Sequence, residues 1–195
     1  MKPRKLLLAV VSTTVLLGAL VTSAFARNLE LSSQTNTALW SRMNFAGGFD
    51  TLECEFKISG SFHTRTFTKT INSLIGYITE GTILRCPRGS ATINQASFPW
   101  HVRYGGFSGT LPNITGARAT ITGVEWRIRE PVFGITCTVR RETSRTSATY
   151  TVSSGTITRA EVEGTSPCGE FTGTLAGSTT NVTNGAGARI TIRLI

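Results

Sequence analysis

The chain has almost no aspartate and very little histidine. Asp50 is the only aspartate among 195 residues, and the two histidines are His63 and His101. Calcium loops need clustered carboxylates, and Ser-His-Asp catalysis needs an aspartate beside a histidine. The sequence also lacks a G-x-S-x-G nucleophile elbow, a phosphate-binding glycine loop and a metal-spaced histidine pair. These absences argue against the common enzyme classes, and we expect no cofactor.

Cysteine is also scarce, since only Cys54, Cys86, Cys137 and Cys168 occur. No two of them have the two-to-four-residue spacing of a zinc knuckle, so we expect no metal site. An even number of cysteines in an exported chain predicts two disulfides, for which three pairings exist. The repeat described below favours Cys54 with Cys86 and Cys137 with Cys168.

A long apolar run occurs only at the N-terminus. The basic start KPRK precedes a mostly apolar stretch at 6–21, and AFA at 24–26 matches a signal-peptidase site. We therefore predict a signal peptide over 1–26 and a single domain over 27–195. No later stretch approaches the 18 apolar residues of a membrane helix. The product should be secreted, either extracellular or associated with the cell wall, with no membrane span after cleavage.

The charge of the predicted domain is moderately basic. Without the three basic residues of the leader, 17 basic and 11 acidic residues remain, a net charge of about +6. The positive charge is mostly arginine and is scattered along the chain. For an exported protein this balance favours cell-wall polymers, anionic lipid or polysaccharide as partners, and it does not favour nucleic acid.

The pattern of apolar residues predicts strands throughout. Leu52, Cys54, Phe56 and Ile58 alternate with polar residues, and no window of the domain has a 3.6-residue period. We predict about ten to twelve short antiparallel strands in an all-β fold, either a β-sandwich or, as the alternative, a closed β-barrel. The alternation changes parity at Gly123, which predicts a β-bulge there.

Several short sequence words occur twice in the same order. The segment from Phe49 contains EGT, FSGTL, NIT and GARATI, and the segment from Phe133 contains EGT, FTGTL, NVT and GARITI. The first cysteine of each segment precedes its EGT glutamate by 26 positions. We interpret this as an internal duplication over about 49–129 and 132–195, while a chain rich in glycine and threonine offers chance matches as the alternative. The interval from Cys86 to Phe107 has no counterpart in the second half and would be an excursion.

The run PWHVRYGGFSGTLPNITG at 99–116, with the leader and the flanking cysteines, resembles a family of small secreted actinobacterial proteins without an assigned function. The resemblance covers this segment closely and most of the domain loosely. It implies a bacterial, exported, all-β domain, and it implies no catalytic residue or ligand.

The segment without a counterpart holds the candidate binding residues Trp100, His101, Arg103 and Tyr104. In a strand, Trp100 and Tyr104 share one face while His101 and Arg103 share the other. The first interpretation is a core strand with a polar outer face. The functional interpretation is an aromatic and basic edge that stacks on a sugar ring or contacts a partner. His63 is expected to be an exposed residue without a role.

Two functions follow as hypotheses. The first is a non-catalytic secreted module that binds cell-envelope carbohydrate, an anionic polymer or a protein partner. The second is a secreted hydrolase whose site is assembled from residues distant in sequence. The carboxylate pairs that could serve such a site are Glu53 with Glu55 and Glu161 with Glu163. Carboxylates two positions apart on a strand are more often solvated surface charges.

Overall fold

The computed structural model describes residues 28–47, 50–132 and 134–195, and the fold is all-β and antiparallel, as predicted. The described residues form no α-helix, and one turn of 3-10 helix, Gln95–Ser97, precedes the seventh strand. The strands of these residues, in chain order, are β1 (Asn28–Leu31), β2 (Thr35–Ala46), β3 (Thr51–Phe62), β4 (Thr66–Thr68), β5 (Leu74–Arg85), β6 (Ser90–Ile93), β7 (Trp100–Thr110), β8 (Asn113–Thr122), β9 (Trp126–Arg129), β10 (Thr136–Val139), β11 (Arg145–Ser153), β12 (Thr156–Cys168), β13 (Phe171–Thr179), β14 (Val182–Thr183) and β15 (Ile192–Leu194).

The alternation that predicts strands also predicts which side chains are buried. On β3, Leu52, Cys54, Phe56 and Ile58 all lie in the core, and the residues between them face outward. Successive side chains of a strand point to opposite faces, so one apolar face covers the interior.

The main sheet closes on itself. Its order is β13-β12-β11-β8-β7-β5-β3-β2-β14, and β13 at one end also pairs with β2 near the other. The sandwich is therefore continuous around its core, and β7 lies between β5 and β8 in this ring. From β2 around to β13, each strand of this ring has a hydrogen-bonded neighbour on both sides, which removes the exposed edges at which sheets aggregate.

Two small sheets complete the core. One has the order β15-β1-β4, and the other has the order β10-β9-β6. Leu31 of β1, Phe67 of β4 and Ile192 of β15 line the interior together with residues of the main sheet. The first small sheet therefore covers apolar surface that the ring alone would leave exposed.

The predicted disulfides are both formed. Cys54 of β3 is bonded to Cys86, which follows β5, and Cys137 of β10 is bonded to Cys168 at the end of β12. The first bond joins two strands that are already hydrogen-bonded neighbours. The second bond joins a small sheet to the main sheet, so it connects parts of the fold that share no strand pairing with each other.

The repeated sequence words occupy different places in this topology. GARATI lies in β8 of the main sheet, whereas GARITI lies mostly before β15 and ends in it. β7 is a member of the ring and not an excursion from it, because β5 and β8 pair with it on either side. Phe49 and Phe133, the starting points of the two segments, lie outside the described residues, and the duplication stays a prediction.

The parity change at Gly123 has a different cause from the predicted bulge. β8 ends at Thr122, and β9 begins at Trp126 in another sheet. Gly123 has a φ of +89°, a left-handed conformation that glycine adopts without a steric penalty. The alternation changes there because the chain leaves one sheet and enters the next.

The predicted leader, 1–26, lies outside the described residues. Within 28–47, 50–132 and 134–195, no helix has the length and apolar character needed to cross a membrane.

Candidate binding face

The β7 strand separates the four candidate residues into two pairs. Trp100 and Tyr104 are each only 3% exposed, whereas His101 is exposed and Arg103 is half-buried. The proposed stacking role of Trp100 and Tyr104 is therefore wrong, because both rings face the apolar core. His101 and Arg103 remain as candidates on the outer face.

Trp100 is a structural anchor. Its ring stacks on Phe98 with 4.5 Å between centroids, and its Nε1 donates a hydrogen bond of 2.8 Å to the buried Ser97 Oγ. The 3-10 turn at Gln95–Ser97 places Ser97 for this contact, and the Asn94 side chain accepts a hydrogen bond from Ala96 N at its start. A buried indole N–H needs such a partner. The aromatic residues next to the turn therefore hold the start of β7 in the core.

The outer face carries a different aromatic row. Tyr77 of β5 is opposite His101 of β7 in the strand register, and their ring centroids are 5.3 Å apart. On its other side Tyr77 contacts His63 edge to face, with 4.8 Å between centroids. His63 lies just after β3, and its backbone N–H donates to the carbonyl of Ile75 on β5. Three rings, one just after β3, one on β5 and one on β7, therefore form one row on the surface.

Two arginines extend this surface along β7 and β8. Arg103 Nη1 donates a hydrogen bond of 3.0 Å to the carbonyl of Asn72, which orients its guanidinium. Arg118 of β8 is exposed and lies opposite Gly106 of β7. A Cβ atom at Gly106 would come within 3.6 Å of Arg118 Nη2, so the guanidinium lies over a part of β7 without a side chain. We name His63, Tyr77, His101, Arg103 and Arg118 the β7 face.

Acidic side chains are absent from β7, β8 and the neighbouring β11. The outward residues of these three strands are mainly arginine, histidine, threonine and serine. The exposed Glu80 lies on β5, three residues after Tyr77, and further carboxylates lie on β3 and β12, as Glu53, Glu55, Glu161 and Glu163. The basic, hydroxyl-rich part of the sheet therefore comprises β7, β8 and β11, and acidic side chains begin on β5.

The carboxylates do not form a glycosidase pair across strands. Glu53 and Glu163 line one open depression, but the register places Asn44 and Ala176 between them. Three strand spacings at about 4.8 Å separate the two backbones by roughly 14 Å. Glycosidase carboxylates lie about 5–9.5 Å apart on either side of the scissile bond. Glu161 is occupied by an ion pair of 2.9 Å with Arg159. This geometry gives no support to the hydrolase hypothesis.

Sequence reasoning missed Tyr77 and Arg118 and gave His63 no role. The local pattern marks Tyr77 only as a strand residue, and nothing in the sequence shows that β5 lies beside β7. A hydrogen-bonded register between distant segments brings the row together, and the only sequence signal is the absence of acidic residues from 100–122.

Comparisons with protein-family models, with curated proteins and with solved structures found no match to this chain. Among the described residues, no group of three or more histidine, cysteine or acidic side chains is arranged to hold a metal ion.

Proposed function

We propose that this protein is a non-catalytic, exported module that binds an anionic polysaccharide of the cell envelope through the β7 face. One observation carries the proposal: an aromatic row and two arginines share one face of the sheet, and the strands β7, β8 and β11 contribute no acidic residue to it.

The composition of the face suits a charged sugar polymer. Aromatic side chains provide rigid contact area for the apolar faces of sugar rings, with polar atoms at their edges. Guanidinium groups bind carboxylates and phosphates through two parallel hydrogen bonds, and arginine loses little freedom in doing so. Tyr77 supplies the first kind of contact, and Arg103 and Arg118 supply the second.

The dimensions of the face suit an extended ligand. From His63 past Tyr77 to His101 the row crosses two strand spacings, roughly 10 Å at about 4.8 Å each. From His101 to Arg118 the surface continues along β7, for roughly 13–16 Å at about 3.3 Å per residue. Both stretches lie on a continuous hydrogen-bonded sheet. Several consecutive sugar units can therefore contact the face at once.

Export and bacterial origin are parts of the same proposal. The N-terminal leader pattern and the resemblance to secreted actinobacterial proteins support them. The two disulfides add support, since such bonds persist in oxidising compartments outside the cytosol.

The test is a binding assay with four polymers that separate charge from sugar. Polygalacturonate and dextran sulfate are anionic polysaccharides, dextran is neutral, and polyglutamate is anionic without sugar. We expect binding to the first two, which weakens as salt is added because the charges are exposed. Equal binding to polyglutamate, or none to either anionic polysaccharide, would contradict the proposal.

Two variants locate the site. Tyr77→Ala and Arg118→Ala should each weaken binding about tenfold, which corresponds to about 1.4 kcal/mol. Arg42→Ala is the matched control, because Arg42 is exposed on β2 and removes the same charge from a different part of the sheet. An equal loss in Arg42→Ala and Arg118→Ala would show that net charge, and not the β7 face, determines binding.

A further inference from the structure

A cavity of about 60 Å³ lies inside the ring of strands. Its walls are mainly apolar side chains, contributed by the main sheet and by the small sheet of β1, β4 and β15. Ala119 of β8, Ala148 of β11 and Ala160 of β12 lie along these walls. Their short side chains leave the space that larger residues would fill.

Two buried polar atoms at this cavity have no hydrogen-bond partner within 28–47, 50–132 and 134–195. They are Trp40 Nε1 and Tyr104 Oη, and their residues are 1% and 3% exposed. Both residues line the cavity. Native proteins pair nearly all buried polar groups, so an unpaired one calls for a specific explanation. Trp100 shows the ordinary arrangement in this same protein, because its Nε1 donates to Ser97 Oγ.

Neighbouring rings hold both unpaired side chains in place. Trp40 stacks on Phe56 with 5.7 Å between centroids, and Tyr104 contacts Phe67 edge to face at 5.9 Å. Burial also raises the pKa of the Tyr104 phenol, so this group keeps its proton and stays available as a donor. The interior therefore offers two fixed donors in an apolar chamber.

An organic solute matches this chamber better than water does. By this measure a single water molecule needs only about 10–15 Å³, so the cavity has room for a larger molecule. A buried water needs two to four polar partners, whereas these walls are mainly apolar and an indole N–H can only donate. Small-molecule sites combine apolar walls with a few placed polar groups.

We infer that the cavity binds a small neutral molecule of a few heavy atoms, with an apolar body and one oxygen that accepts hydrogen bonds from Trp40 Nε1–H and Tyr104 O–H. Short-chain ketones and aldehydes belong to this class. This inference is independent of the β7 face, because the cavity is on the opposite side of the sheet.

The test uses 2-butanone as the probe and the indole N–H resonances of ¹⁵N-labelled protein as the readout. Trp40→Phe assigns the Trp40 resonance. We expect a saturable downfield shift of this resonance on titration, with little change at Trp100, whose N–H is already bonded. Tyr104→Phe should weaken binding about threefold or more. Ala148→Val, which fills part of the cavity, should abolish the shift while the Trp100 resonance stays in place.

Three results would overturn the inference. The first is the absence of a saturable shift at Trp40. The second is an equal shift at Trp40 and Trp100, which indicates a solvent effect. The third is magnetisation transfer from water to the Trp40 indole proton that persists when 2-butanone is added. This result would show that the cavity holds only ordered water. Xenon is an apolar probe without a hydrogen-bond acceptor, so it should enter the cavity of both proteins. Its affinity should be the same for wild type and Tyr104→Phe.

Discussion

Tyr77 of β5 lies directly opposite His101 of β7, and their ring centroids are 5.3 Å apart. His63 contacts the other side of the Tyr77 ring, so each member of the row restricts the rotation of its neighbour. A ligand that contacts the row meets side chains that are already ordered. This preorganisation lowers the entropy that binding costs.

The contact between Tyr77 and His101 should be measurable without any ligand. We expect a double-mutant cycle with Tyr77→Ala and His101→Ala to give a coupling of about 0.5–1.5 kcal/mol in the free energy of unfolding, the range of aromatic pairs. Denaturant unfolding of the four proteins measures it. Tyr77→Ala combined with Thr151→Ala, on the exposed face of β11, is the additive control. A coupling no larger than in that control would mean that the rings do not stabilise each other.

Ser97→Ala should destabilise the protein by about 1–3 kcal/mol. The substitution leaves the buried Trp100 Nε1 without its acceptor, and an unpaired buried donor costs this much. Thermal or denaturant unfolding provides the measurement. Ser147→Ala, on the exposed face of β11, removes the same hydroxyl group from solvent and should change stability by less than about 0.5 kcal/mol. Similar effects of the two substitutions would contradict the role of Ser97.

Alkaline pH should destabilise the fold through two tyrosines. Burial raises the pKa of both Tyr104 and Tyr150 above the ordinary value of 10.0. Below pH 10 both phenols are protonated in the folded and unfolded states, so their contribution to stability is fully present. Above pH 10 the unfolded chain releases protons that the folded protein retains, and the free energy of unfolding falls.

Replacing these tyrosines with phenylalanine removes that dependence. Denaturant unfolding between pH 7 and 11 should show a shallower alkaline decline for Tyr104→Phe and Tyr150→Phe, and the shallowest for the double variant. At neutral pH, Tyr104→Phe should also be neutral or stabilising, because it removes a buried hydroxyl that has no partner in the described part of the chain. The same alkaline slope in all four proteins would contradict the prediction.

Removing each of the two disulfides should increase the flexibility of a different part of the fold. Each closes a loop of about 30 residues, so replacing either cysteine pair with serine should cost about 3–4 kcal/mol on the chain-entropy estimate. Loss of Cys137–Cys168 also frees β10 from β12. Hydrogen exchange should then accelerate at β9 and β10 in that variant and not in the Cys54–Cys86 variant, whose strands stay paired. Equal exchange in both would contradict this assignment.

The fold class could be predicted because its signal, the alternation along each strand, is local. Alternation on β3 shows which side of the strand is apolar, and it correctly predicts that Leu52, Cys54, Phe56 and Ile58 are buried. The similar spacing of the two cysteine pairs, 32 and 31 residues, favoured the connectivity that forms. The parity change at Gly123 was also a real signal, although it marks a change of sheet and not a bulge.

The outward face of β7 could not be read from alternation. Trp100, Val102 and Tyr104 share one parity with His101 and Arg103 on the other, and a shift of one residue in register exchanges the two sets. The face with the larger apolar surface is buried, because burying two aromatic rings stabilises the fold more than burying a histidine and an arginine would.

By itself, the sequence determined the all-β class and most of the strands, since alternation depends on neighbours along the chain, and its repeated spacing favoured the cysteine pairs that form. Tertiary structure alone decided the closure of the sheet by β13 and β2, the meeting of His63, Tyr77 and His101, and the cavity with its unpaired donors. Each of these depends on which distant strands pair and in what register. The packing of the whole core determines which strands pair, and no single segment of the sequence contains that information.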